Sequence, residues 1–345
     1  MGNKLIELMK TKEISLKDLS GKTLVVDAYN QLYMFLATIR GPDGTLLTDA
    51  NGNVTSHLQG TFGRFTRLMK ENIRCAFVFD GKPPSEKLAE QRRRAELKAE
   101  AMEKYEEAKE KEDIEEMKKY AARTSKLTKE MVEEAKKLIS ALGMPVIQAP
   151  SEGEAQAAHI VKKGSAYAVM SQDADSLVFE APRLVKNLTI TGRRKQRGAY
   201  SSNEISPELV DLKENLEELG VTQEQFVCMA LLTGTDYNYG GIRGIGPKKA
   251  LALAKKFPEP PDLFREAKWD EQYKEDNGWK KLFNLLKSPE VSDNYELKFS
   301  KINEAEVRRI LVDDHSFSAE RVDKTLSELK QMQPKEVSLQ QWFGA

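Results

Sequence analysis

Seven acidic side chains, Asp27, Asp80, Glu152, Glu154, Asp173, Asp175 and Asp236, carry the most distinctive chemistry in this chain of 345 residues. Nearly all stand where an apolar run gives way to small turn residues. Leu24, Val25 and Val26 precede Asp27, and Phe77, Val78 and Phe79 precede Asp80. Ala168, Val169 and Met170 lie just ahead of Asp173 and Asp175, and Leu231 and Leu232 ahead of Asp236. Short apolar runs between helical patterns predict buried parallel strands. Sheets of that kind bind ligands in the crevice outside the carboxyl ends of their strands, so carboxylates distant in sequence can meet there. Crowded like charges raise each other's pKa unless something neutralises them. Hard divalent cations with oxygen ligands do so, and Mg²⁺ is the usual one beside phosphates. The expectation is a metal-dependent phosphodiesterase.

Taken singly, each acid has an ordinary structural reading. Ser151 and Glu154 have the spacing of a capping box, and Asp173 and Asp175 suit a turn or a helix cap. In combination, Glu152 with Glu154 and Asp173 with Asp175 place two pairs of carboxylates at irregular junctions, where both members of a pair can reach one ion. A second motif runs through Gly240, Gly241, Gly244 and Gly246 to Pro247, Lys248 and Lys249. Its glycines permit a tight turn, and Pro247 suits a first helical position. Backbone N–H groups there can grip a phosphate, with the two lysines beside it. A purely structural helix–turn–helix is the competing reading; the repeated glycine spacing followed by lysines favours binding to a DNA backbone.

These side chains need a frame. Residues 22–80 read as strand, helix, glycine-rich hairpin-like segment, helix, strand. A second α/β half follows, with strands at 145–148 and 167–170 and a helix from 151. Residues 85–142 contain neither glycine nor proline. Their first part is dominated by charge without a sustained heptad, which predicts a solvated helix or helical pair projecting from the body rather than a coiled coil. Met131, Ala135, Leu138, Ile139 and Leu142 then have the spacing of a packed helical face that stops at Gly143. Pro258, Pro260 and Pro261 mark a loop, and helices are expected beyond it to about residue 330.

The length allows one large domain or two. With 31% charged and 40% hydrophobic residues, the composition is that of a soluble globular protein. No apolar run approaches the roughly 20 residues of a membrane span, and the start lacks a signal-peptide core. Cys75 and Cys228 lie in apolar patterns, so buried thiols in an intracellular protein are expected rather than a disulfide. The formal net charge is zero, yet basic residues cluster at 92–94, 193–197, 248–249 and 255–256. Such local stripes matter more to a nucleic-acid partner than the total. His57, His159 and His315 lack metal-ligand spacing and are expected as ordinary surface or half-buried side chains.

The segments around Asp27, Asp80-Gly81-Lys82-Pro83-Pro84, Ser151-Glu152-Gly153-Glu154, Asp173-Ala174-Asp175-Ser176 and Thr235-Asp236-Tyr237-Asn238 resemble, in order and spacing over nearly the whole chain, the flap endonuclease family of structure-specific 5′ nucleases. The short length without a basic extension resembles its archaeal members. The resemblance implies an α/β fold of PIN-like 5′ nuclease type, with a mixed, mostly parallel central sheet flanked by helices. Residues 1–330 would form a single nuclease domain. A helical arch would occupy about 82–135 and a helix–two-turn–helix about 222–257, ahead of a flexible clamp-binding tail at 331–345.

The same resemblance supplies roles. The seven acids would hold two Mg²⁺ ions about 4 Å apart, which activate a water and stabilise the leaving oxygen. Lys87 and Arg94, seven apart on the first arch helix, would contact the scissile phosphate. Tyr33 would stack on a base near the cut, although its position alone says helix core. The turn with Gly244, Gly246, Lys248 and Lys249 would grip duplex DNA, often with K⁺. Arg40, Thr55, Phe317, Ser318 and Arg321 resemble a pocket for a one-nucleotide 3′ flap. Leu339, Trp342 and Phe343 resemble the box that binds the sliding clamp, with Glu336 where glutamine is usual.

The expected protein is a monomeric enzyme of the archaeal cytoplasm that cuts 5′ flaps on branched DNA in Okazaki fragment maturation and repair. Related 5′ nucleases that prefer nicks, gaps, bubbles or junctions form one alternative. A clamp-tethered junction binder without activity is another, and it would not require all seven acids.

Overall fold

The central sheet is built from the apolar runs that precede the acids. In the computed structural model, which describes residues 4–42, 44–110, 116, 120, 124, 126–190, 193–195, 202–273 and 278–332, nine strands are assigned. They are β1 (Lys12–Glu13), β2 (Thr23–Asp27), β3 (Arg74–Phe79), β4 (Val146–Gln148), β5 (Ala168–Met170), β6 (Arg183–Lys186), β7 (Arg193–Lys195), β8 (Ser202–Glu204) and β9 (Glu208–Asp211). Seven form one sheet in the order β1-β9-β6-β5-β2-β3-β4. The five from β6 to β4 are parallel, with Val26 opposite Phe77 on one side and Met170 on the other. β9 and β1 extend the β6 edge antiparallel, so the sheet is mixed and mostly parallel. β7 and β8 pair separately as a short antiparallel ribbon.

Side-chain alternation along the strands separates two apolar layers. On one face Val25, Val78 and Val169 pack with helices Gly153–Lys162 and Gln223–Thr233. On the other, Leu24, Val26, Phe77 and Met170 meet helices Ala28–Thr38, Ser56–Lys70, Lys129–Ala141 and Ala319–Met332. Cys75 and Cys228 are free and buried, and burial pushes both thiols up to about 12. Among the described residues no helix is long and apolar enough to cross a membrane.

Two local expectations need correction. The run before Asp236 is the end of helix Gln223–Thr233 rather than a strand, because all nine residues from Gln225 to Thr233 are buried and a fully buried helix has no apolar periodicity to betray it. Pro260 starts helix Pro260–Glu266 instead of extending a loop, since a proline at the first helical turn costs no hydrogen bond. Helices dominate beyond the prolines as expected, with residues 288–303 the one long described stretch without regular structure. The projecting segment begins with the 23-residue helix Leu88–Glu110, and the Lys104 ammonium lies 5.8 Å from the Tyr120 ring.

Candidate active site

Strand order reverses about β2, since β3 and β4 lie to one side of it and β5 and β6 to the other. A crevice opens at such a switch point, beyond the carboxyl ends of the strands. Asp27 ends β2 and caps the next helix, accepting from Asn30 N at 3.1 Å. Asp80 follows β3 and accepts from Gly153 N at 2.6 Å. A Cβ on residue 153 would lie 2.7 Å from that same carboxylate oxygen, so only glycine lets Asp80 rest on this helix start, where the helix dipole favours anions. Glu152 is the N-cap residue and makes no capping bond, so the capping-box reading of Ser151 and Glu154 does not hold. Asp173 and Asp175 follow β5; Asp173 accepts from the Asp175 N–H at 3.3 Å, and its own N–H donates to Ser171 Oγ at 3.1 Å.

Five of the seven acids are raised by burial and by neighbouring carboxylates. Burial, then the neighbouring Asp80 carboxylate, lifts Asp27 to about 7. Glu154 and Asp175 are pushed well above the ordinary carboxyl range, by burial first and by Asp173 next. Burial also raises Asp80, against the Gly153 N–H, and Glu152, against Lys87; Asp236 adds to both shifts. The folded protein without metal therefore binds more protons than the unfolded chain between about pH 4, the ordinary carboxyl value, and pH 7. Its stability must fall as pH rises through that window. The urea midpoint in chelator is expected to drop from pH 5 to pH 8. Mg²⁺ should restore it more at pH 8 than at pH 5, because binding to carboxylates competes with protons. A flat or rising profile in chelator would refute the charge crowding.

Two cations lie over the crevice. The Lys87 ammonium pairs with Glu152 and stands 3.6 Å from Asp236, while the Arg94 guanidinium pairs with Asp236. Both belong to the root of the projecting segment. Among the described residues no three histidine, cysteine or acidic side chains close on one point as a finished metal cage. The donor set nonetheless fits hard divalent ions: it is entirely carboxylate oxygen, and two positive charges do not balance seven carboxylates.

Sequence reasoning missed several supporting residues. Tyr237 donates its hydroxyl to Glu152 and carries Lys87 over its ring at 5.2 Å. Glu90 is buried and holds Arg93 at 2.7 Å and Arg94 at 2.8 Å. Its place three and four residues before them was the available signal. Gln148 at the end of β4 donates to the Asp80 carbonyl at 2.6 Å. Tyr33, by position a core residue, is 39% exposed and faces the projecting helix, with Lys98 Nζ 4.7 Å from its ring.

The glycine-rich turn lies between helices Gln223–Thr233 and Pro247–Lys256. Gly241 has φ +61° and packs so closely on the end of the first helix that no side chain fits. Gly244 and Gly246 instead open onto free space, since a Cβ on either would meet nothing within 4 Å. Gln272 holds the turn from outside, accepting from Arg243 N at 2.8 Å and donating to the Gly241 carbonyl at 2.6 Å. Lys248 and Lys249 are exposed in the first turn of the second helix.

Arg40 and Thr55 border a ribbon closed by bridges Arg40–Leu46 and Thr48–Val54. It meets the turn before Phe317, Ser318 and Arg321 through Asp49 and His315. His159 is half-buried beside Asp293 as expected; His57 and His315 are not, being buried within polar contacts. Leu339, Trp342, Phe343 and Glu336 lie outside the described residues, as does Arg197.

The chain matches the XPG N-terminal domain over residues 3–101 and the XPG I-region over 143–236. It is 45% identical to flap endonuclease 1 of Aeropyrum pernix, covering 100% of both chains. It is 48% identical to that of Pyrococcus abyssi, covering 99% of this chain and 98% of the other. Among solved structures, flap endonuclease-1 from Methanococcus jannaschii superposes with a TM-score of 0.75 at 38% identity, over 96% of this chain and 98% of that one. The crevice of strand-end acids and the full-length likeness agree: this chain belongs to the flap endonuclease family.

Proposed function

We propose that the protein is a structure-specific 5′ flap endonuclease that hydrolyses the phosphodiester at the junction of a single-stranded 5′ flap with duplex DNA, with 5′–3′ exonuclease activity on the same site. The observation that carries this reading is the meeting of Lys87 and Arg94, from the root of the arch, with Glu152 and Asp236 of the acidic crevice. Two Mg²⁺ ions held by Asp27, Asp80, Glu152, Glu154, Asp173, Asp175 and Asp236 would supply an activated water and charge for the leaving oxygen. Lys87 and Arg94 exchange their carboxylate partners for the scissile phosphate and offset its growing charge. Tyr33, exposed beside them, stacks on the base next to the cut. The arch at about 82–135 admits the single strand, and Arg40, Thr55, Phe317, Ser318 and Arg321 receive a one-nucleotide 3′ flap.

The helix–two-turn–helix at about 222–257 holds the duplex through N–H groups at Gly244 and Gly246, with Lys248 and Lys249 beside them and K⁺ bound at the turn. Neutralising both lysines is expected to weaken every duplex-containing substrate alike. It should also flatten the plot of log affinity against log salt by about two contacts' worth. An unchanged slope would return the motif to a structural role.

The protein acts as a monomer tethered to the sliding clamp by Leu339, Trp342 and Phe343, few apolar anchors being typical of such contacts. The test is Mg²⁺-dependent cleavage of flap, nick, gap and bubble substrates by the full chain and by residues 1–332, each with and without clamp. Flaps should be cut best, and only the full chain should respond to clamp. Equal cleavage of bubbles, or clamp stimulation of the shortened chain, would overturn the corresponding part.

A further inference from the structure

Away from the acids, a line of polar side chains, buried except at the partly exposed Glu134, joins four separate elements. Asp49, in the ribbon between helices Ala28–Thr38 and Ser56–Lys70, has no exposed side-chain surface. It accepts from Asn53 N at 2.8 Å, Asn51 N at 2.9 Å and Asn53 Nδ2 at 2.9 Å. These bonds, with His315, hold its carboxyl down at about 2, the Asn53 side chain contributing most. His315 Nδ1 lies 3.2 Å from Asp49 Oδ2, and His315 Nε2 lies 3.5 Å from Glu134 Oε1. The other Glu134 oxygen, Oε2, is 3.0 Å from Nε2 of His57, which is completely buried. A carboxylate only accepts, so His57 Nε2 and His315 Nδ1 are the donors in their hydrogen bonds to Glu134 and Asp49.

The elements so joined are the ones that carry the proposed 3′-flap residues. His57 is two residues from Thr55, and Ser56 Oγ accepts from Leu47 N at 3.0 Å across the ribbon. His315 ends the π-helical turn Arg309–Asp314 and precedes Ser316, whose φ of +58° is strained for a residue with a side chain. That strained residue turns the chain so that Phe317 N reaches the Leu311 carbonyl at 2.8 Å, and Ser318 Oγ accepts from Arg321 N at 3.4 Å. Glu134 belongs to helix Lys129–Ala141, into which the arch returns. Asp49 thus joins the ribbon to the 315–318 turn through His315, and Glu134 holds that histidine and His57, on the helix that follows the ribbon, against the rear root of the arch.

We propose that Glu134, through His57 and His315, is a positioning residue that fixes the Asp49 ribbon against the strained 315–318 turn and thereby sets the selectivity for a one-nucleotide 3′ flap. The proposal rests on the 3′-flap reading of Arg40, Thr55, Phe317, Ser318 and Arg321 given above. Glu134 pairs with His57 and His315 and with none of the seven acids, so its loss changes recognition and leaves the chemical step alone.

The test is steady-state cleavage by Glu134→Ala, Glu134→Gln and His315→Ala. Two substrates are compared, both with the same 5′ flap and only one with an extra 3′ nucleotide. Glu134→Ala and His315→Ala should raise KM for the double flap about tenfold, within the range that such networks transmit, with kcat and the single-flap KM unchanged. Glu134→Gln preserves volume and one acceptor and should recover part of the loss; it also serves as the probe if an alanine variant does not fold. Arg321→Ala is the control on the underlying reading. If Arg321→Ala erases the preference while the Glu134 and His315 variants keep it, the network is only structural and the proposal fails. If Arg321→Ala leaves the preference intact, the 3′-flap reading fails and takes the proposal with it. Equal loss of kcat and KM on both substrates would likewise overturn positioning.

Discussion

Asp175→Asn, or Asp80→Ala, is expected to abolish cleavage in Mg²⁺ while flap binding stays close to that of the unaltered protein. The loss should exceed the roughly 10–100-fold that follows from removing a contact which merely supports a metal ligand. Asp175 is among the most perturbed acids in the crevice, raised by burial and then by Asp173 and Asp236. The Gly240–Lys249 region that would hold the duplex is anchored separately, through Gln272. Single-turnover cleavage and flap affinity in Ca²⁺ measure the two properties independently. A second consequence separates a metal ligand from an ordinary structural acid. Asn keeps the volume but removes one charge from the cluster, so at pH 8 the variant without metal should be more stable than the parent and gain less from Mg²⁺. Turnover within tenfold of the parent would end the metal assignment of Asp175.

Lys87→Ala and Arg94→Ala should each lower the single-turnover rate by about 10²–10³-fold, the effect of removing one preorganised donor to transition-state charge. Flap affinity should change little. In the structure both cations already sit against carboxylates that bind the metals in the proposed mechanism, Lys87 on Glu152 and Arg94 on Asp236. They are therefore aimed at the site where the phosphate must come, and Glu90 keeps Arg94 extended at 2.8 Å. An interaction made chiefly in the transition state lowers the rate of chemistry without weakening ground-state binding. Equal losses in affinity and rate would make both residues general phosphate contacts. Glu90→Gln should give a smaller defect of the same kind as Arg94→Ala, since it loosens the guanidinium without removing it.

Much of this protein was determined by sequence alone. Runs such as Leu24 to Val26 and Phe77 to Phe79 are too short and too uniformly apolar for surface helices, so they fix parallel strands, and the acids behind them fall at the strand ends by necessity. The glycine spacing from Gly240 to Gly246 fixes a turn because Gly240, Gly241 and Gly244 take left-handed φ values, which other residues adopt only under strain. Where local pattern failed, packing had the deciding part. From Gln225 to Thr233 the helix is buried on every side, which erased its period and made the approach to Asp236 read as a strand.

Tyr33 read as core from its spacing, but its outward face and the Lys98 ammonium above it follow from where the arch helix lies. The pairing of Tyr237 with Glu152 joins positions 85 residues apart, and the Asp49–His315 bond joins positions 266 apart. No spacing rule predicts such contacts. Two histidines that sequence could only rank as ordinary became the centre of a polar network, because the partners that make them so are brought together by the sheet and its flanking helices. Residue types and local spacing set the chemistry available to the chain, while long-range packing decided which charges meet and which donors are aimed.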